Sequence, residues 1–224
     1  MKKRILSILL LCCMVLTLLP TTVLAADGPM DTIPKYDVSI DVYNRTSDIS
    51  IKDSRSYYIY SSVPDKLRDT WAWDKKIFIK GDKTAPHVFI DGVNIEMSPS
   101  SKGPAIELNK KASAYIYFIG KNSSLQGADG RAAIQKNRSE GQLYVLARTG
   151  TTVTCKGGDK AAGIGGSYAT RNISNGYYNG DMYGHGVNMH FGSRSNPDYW
   201  GGTIAAIGGE GGAGIGGGQG GAGE

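Results

Sequence analysis

The chain has 224 residues, a formal net charge of +5 from 25 Lys and Arg against 20 Asp and Glu, and 32 glycines. That length holds one domain with a sizeable core, and no basic cluster beyond the first residues offers a footprint for nucleic acid. Glycine at about twice its usual share, concentrated after Gly157, points to a chain that turns often and away from a helical composition.

The first residues address the compartment. Lys2, Lys3 and Arg4 precede an apolar run from Ile5 to Leu19, Pro20 ends it, and Val23-Leu24-Ala25 places small residues before Ala26. This is the pattern of a secretory signal peptide, residues 1–25, cleaved after Ala25. The run is short for a membrane span of about 20 residues, and no later stretch is long and apolar enough for one. The expectation is a secreted, extracellular protein. Cleavage leaves 22 basic residues against 20 acidic, a net charge of +2. It also removes Cys12 and Cys13, so Cys155 stands alone without an internal disulfide partner. Residues 26–48 are polar, carry Pro29 and Pro34, and are expected to act as an N-terminal cap or linker.

From residue 49 the chain reads as short strands. Ile49 and Ile51, Tyr58 and Tyr60, Ile77 and Ile79, then Val88 and Ile90 each alternate at period 2. Val93 and Ile95 follow across Asp91-Gly92. Ile116 and Phe118, Leu143 and Val145, and Val153 and Cys155 continue the pattern, with Gly, Asn, Asp and Ser between. Alternation turns Cys155 inward as a buried thiol. No stretch sustains the 3-and-4 spacing of a helix.

A longer period lies over the short one. Gly103-Pro104-Ala105-Ile106, Arg131-Ala132-Ala133-Ile134, Ala161-Ala162-Gly163-Ile164 and Gly212-Ala213-Gly214-Ile215 align, with isoleucines 28, 30 and 51 residues apart. The last gap equals one 30-residue period and an insertion of 21 residues. Its place is the aperiodic Tyr-, Asn-, Gly- and Ser-rich stretch 167–200. The expected fold is all-β, a right-handed parallel β-helix over 49–224 with coils of about 30 residues and an incomplete C-terminal coil. Equivalent isoleucines would then stack one strand spacing apart, about 4.7–4.9 Å, and bury a column that no single coil could bury. An antiparallel sandwich or barrel is the rival, but hairpins need no long period.

Two sets of residues point to binding chemistry. Asp129, Asp159 and Glu210 each lie five residues before a repeat isoleucine, so a solenoid stacks them at one turn. Neighbouring carboxylates about 5 Å apart repel by roughly 1 kcal/mol in water. Calcium, which takes carboxylate and carbonyl oxygens, would relieve that repulsion; solvated turn residues are the plainer alternative. The second set is aromatic: Tyr177, Tyr178, Tyr183, Tyr199 and Trp200 in the insertion, and Trp71 and Trp73 on one face of an extended segment. Rings stack on the C–H faces of sugars and offer area at low entropy cost. The same rings equally suit packing against the solenoid flank, and the Trp71–Trp73 pair suits a capping contact.

Enzyme signatures are sparse. The histidines are His87, His185 and His190, and the last two are not at helical ligand spacing. Gly212 to Gly217 matches the dinucleotide-binding glycine pattern only in letters, with no helix after it. A lyase or hydrolase would draw on Asp91, Glu96, Glu107 and Arg148.

The strings GGDKAAGIGGS (157–167) and GGTIAAIGGEGGAGIGGGQGGAG (201–223) resemble the glycine-rich repeats of carbohydrate-binding-domain-containing surface proteins of Gram-positive gut bacteria. The stretch 88–158 resembles the domain preceding those repeats, which is similar to a family of calcium-binding parallel β-helices that bind cellulose and acidic sugars. The likeness covers about 77–224. It departs from the pattern in the 21-residue insertion and in GGTIAAIGG, where Ala replaces a threonine. The resemblance implies a non-catalytic polysaccharide-binding β-helix at the bacterial cell surface. A structural stalk or adhesin repeat of a larger surface protein, and a pectate-lyase-like lyase or hydrolase, are the alternatives.

Overall fold

The computed structural model describes residues 34–98, 101, 103–109, 111–136, 140–168, 173–174, 177–178, 184–192 and 199–220. The signal-peptide segment and the start of the expected cap lie outside them.

The chain winds as a parallel β-helix with three faces. Strands are numbered in chain order. The first sheet contains β1 (Val38–Asp41), β3 (Ser56–Tyr60), β5 (His87–Asp91), β8 (Ala114–Ile119), β11 (Leu143–Ala147) and β16 (Met189–Phe191). The second contains β2 (Ile49–Ile51), β4 (Ile77–Ile79), β7 (Ile106–Leu108), β10 (Ile134–Gln135), β13 (Ile164–Gly165) and β18 (Ile215–Gly216). The third contains β6 (Asn94–Glu96), β9 (Ser123–Gln126), β12 (Thr152–Lys156) and β17 (Thr203–Ile207). From β5 onward each turn visits the first, third and second sheets in that order. Val38–Asp41, placed in the cap by sequence, already forms the first strand.

Inward residues meet their counterparts one coil away. On the second sheet Ile49, Ile77, Ile106, Ile134, Ile164 and Ile215 pair in one register. Sequence aligned four of these; the structure adds Ile49 and Ile77. The first five are at most 2% exposed, while Ile215 on the last rung is 46% exposed. Burying each such side chain contributes about 1.5–3 kcal/mol. Ile40, Ile59, Ile90, Phe118 and Ala147 form a parallel column on the first sheet. Ile95, Leu125, Cys155 and Ala206 form one on the third. Cys155 is fully buried, as alternation requires, and burial pushes its thiol pKa up.

Glycine permits the turns to close. At Gly158 a Cβ would overlap the Ala128 carbonyl of the coil before, so the paired glycines of the repeat mark places where successive backbones nearly touch.

The insertion divides around a strand. Tyr144 pairs with His190, 46 residues on, where Tyr115 pairs with Tyr144, 29 residues on. Most of the added chain therefore precedes β16, and β16 itself, inside 167–200, belongs to the first sheet. The added chain includes an antiparallel pair, β14 (Ile173–Ser174) with β15 (Tyr177–Tyr178).

Candidate functional site

The outward face of the first sheet carries a strip of aromatic rings. Parallel in-register pairing sets each outward residue directly over its counterpart. One column holds His87, Tyr115, Tyr144 and His190. Their rings lie 4.7, 4.5 and 4.5 Å apart at 8°, 8° and 15° between planes. The next column holds Tyr58, Phe89 and Tyr117. Phe89 and Tyr117 stack at 4.8 Å, and Tyr36 and Tyr60 stack against Tyr58 at 5.2 and 5.1 Å. His87 Nδ1 and Tyr117 Oη are 3.0 Å apart, a hydrogen bond that ties the columns together.

The strip is fixed from beneath. Tyr58, Phe89 and Ile119 are nearly buried on this outer face and form a small apolar cluster under Tyr60, Tyr117 and Trp200. Tyr58 Oη donates to Asp91 Oδ2 at 2.9 Å. Burial, then that carboxylate, push the Tyr58 phenol pKa well up. Burial likewise raises that of Tyr117. These phenols therefore stay protonated, as hydrogen-bond donors, throughout the neutral range.

Stacking decides what the strip offers. Rings piled along the helix axis spend their faces on each other, so the strip presents ring edges, and several of its polar groups are held by neighbours: Tyr58 Oη donates to Asp91, Tyr144 Oη donates to Gln142 Oε1, and Tyr117 Oη bonds His87 Nδ1. Trp200 is different. It sits 5.1 Å from Tyr117 at a 40° tilt and meets Tyr199 edge-on at 88°. The loop carrying both is pinned to the turn after β11. Thr149 N–H donates to Tyr199 O (2.9 Å), and Gly201 N–H donates to Thr149 Oγ1 (3.1 Å).

The sequence candidates fare unequally. Tyr199 and Trp200 join the strip. Tyr177 and Tyr178 supply backbone to β15, and Tyr183 lies outside the described residues. Of the two readings of Trp71 and Trp73, a sugar-stacking platform and a capping contact, the structure matches the capping contact and corrects the platform. Trp73 is 3% exposed, bridges to Ile95, and donates its indole N–H to Arg45 O at 2.8 Å. Trp71 packs on the core with its ring edge-on to Tyr43 at 5.4 Å. Both indoles close the N-terminal end of the coil, because that end lacks a full third-sheet strand to cover it.

Asp129, Asp159 and Glu210 do share one turn of successive coils, since Ile134, Ile164 and Ile215 pair in register. All three are exposed. Among the described residues no three His, Cys, Asp or Glu side chains gather closely enough to hold a metal. The Asp159 carbonyl already accepts the Gly130 N–H, and its carboxylate lies 3.6 Å from Lys160 Nζ. The acids considered for a lyase also part company: Asp91 is on the first sheet, Glu96 on the third and Glu107 on the second, paired with Lys76 at 2.6 Å.

Sequence reasoning did not pick out His87, Tyr115, Tyr117 and Tyr144. A signal existed, because His87, Tyr115 and Tyr144 recur at the coil period. No family model, no curated protein and no solved structure matches the chain.

Proposed function

We propose that this β-helix is an extracellular carbohydrate-binding module that attaches to an insoluble polysaccharide through the aromatic face of its first sheet, without catalysis. The observation that carries this reading is the continuous strip from His87 to His190, with Tyr117 and Trp200 beside it. A polymer laid along the strip meets phenol and imidazole edges that exchange hydrogen bonds with its hydroxyls, and the tilted Trp200 indole packs on a sugar ring. The rings are held by stacking and by the sheet, so binding orders little that was mobile.

The test is adsorption of purified residues 26–224 to a panel of insoluble polysaccharides, alongside Tyr115→Ala, Tyr144→Ala and Trp200→Ala. Retention on at least one polymer, reduced about fivefold or more in each variant, is expected, given ~1 kcal/mol or more per lost aromatic contact. Retention unchanged in the variants removes the aromatic face from the mechanism. No retention on any polymer overturns the reading and favours a structural stalk, whose stacked rings would serve to stiffen a rod.

A further inference from the structure

We propose that a groove on the third sheet is a second glycan site, one that takes a single extended strand of neutral, hydroxyl-rich sugar. It shares with the reading above only the class of ligand; its residues and its side of the molecule are different.

The groove has a volume of about 690 Å³, within the range that holds small ligands. Its wall is the segment 61–72, which replaces a third-sheet strand in the second coil; only Trp73 pairs there, with Ile95. The wall is braced against the sheet. Asn94 Nδ2 donates to Arg68 O at 2.9 Å. Asp65 Oδ1 accepts from Lys121 Nζ at 2.9 Å and from Arg68 Nη2 at 3.3 Å. The Arg68 guanidinium crosses Gly92, where a Cβ would come within 2.5 Å of Nη1. Glycine there gives the wall its close approach, at a φ of +61°.

The floor is a polar ladder. Asn94, Ser124 and Thr154 follow one another in register across β6, β9 and β12, one strand spacing apart. Asn122 and Thr152 line the groove beside them. The Asn94 amide braces the floor, bonding Arg68 O and the Ser124 N–H, and the Ser124 and Thr154 hydroxyls follow it one strand spacing apart along the helix axis, which suits a chain of repeating hydroxyls.

Charge and shape narrow the ligand. Two acids, Asp65 and Asp69, face two bases, Arg68 and Lys121, so the lining is close to neutral. An anionic chain would meet the carboxylates and a cationic one the bases, whereas neutral hydroxyls donate to the former and accept from the latter. Among the described residues no aromatic ring lines the groove. The raised wall beside a recessed floor suits one strand and keeps out the flat face of an insoluble particle.

The experiment titrates purified 26–224 with soluble hexasaccharides of glucose, mannose and xylose and with an acidic hexagalacturonide. The variants are Ser124→Trp, which fills the groove from an exposed position, Thr154→Lys, which adds charge to its floor, and Tyr144→Ala. Thermal melts establish that each is folded. A neutral hexasaccharide is expected to bind, with Kd raised at least tenfold by Ser124→Trp and by Thr154→Lys and unchanged by Tyr144→Ala. Adsorption to insoluble polymer should show the reverse pattern. The proposal is overturned if no neutral hexasaccharide binds, if only the acidic one binds, or if the folded groove variants bind as the parent does. Hexasaccharide binding without adsorption would leave the groove standing and sink the aromatic face; adsorption alone would do the opposite.

Discussion

Replacing Ile134 with Ala tests whether the stacked column holds the coil together. Ile134 is fully buried between Ile106 and Ile164, which are themselves fully buried. The substitution removes three carbon atoms. At about 0.8 kcal/mol per methylene-sized group the transfer loss is roughly 2.4 kcal/mol. A cavity adds to it, because the flanking isoleucines sit on strands locked by parallel pairing and cannot collapse inward, so the expected cost is about 3–4 kcal/mol. The same change at Ile215 is the internal control. That side chain is 46% exposed, loses about half the transfer energy and leaves no closed void, so about 1 kcal/mol is expected. Urea unfolding with both variants, compared at equal m, reads the difference. Equal losses at the two sites, or a loss below about 1 kcal/mol at Ile134, would refute the idea of a continuous column.

Two further outcomes follow from the backbone and from a buried amine. Gly158→Ala pushes a Cβ into the Ala128 carbonyl of the neighbouring coil and should cost about 3 kcal/mol or more. Gly150→Ala meets open space at a φ of +84° and should cost about 1 kcal/mol from left-handed strain alone; thermal melts should rank them in that order. Lys136 is 2% exposed, its Nζ donates to Glu140 O at 2.8 Å, and burial lowers its pKa to about 8. The unfolded chain then binds the proton more tightly than the folded one, so stability rises from about pH 8 towards the ordinary lysine range near 10.5. Lys136→Met should raise stability below pH 8 by about 1–2 kcal/mol, allowing for solvent near the ammonium, and should flatten that rise. A variant with the parent's pH profile in denaturant titrations would remove Lys136 as its source.

The coil was legible in the residues alone. Period-2 alternation and the recurrence of Ile106, Ile134, Ile164 and Ile215 are local signals. They suffice because a parallel β-helix repeats one short segment against its neighbour. The inward thiol of Cys155 and the shared turn of Asp129, Asp159 and Glu210 follow from the same register. Contacts between distant coils set the rest. Met189-His190-Phe191 carries too short an alternation to reveal a strand within the aperiodic insertion, and only the open edge of β11 recruits it. Trp71 and Trp73 alternate as a surface strand would, yet the end of the core, uncovered by a third-sheet strand, draws both indoles onto it. Tyr117 and Trp200 are 83 residues apart, and Asp65 and Lys121 are 56 apart. Neither pair has a mark in the local sequence. They meet because excursions from different coils fold back over the same faces, and where such loops come to rest depends on the packing they find there.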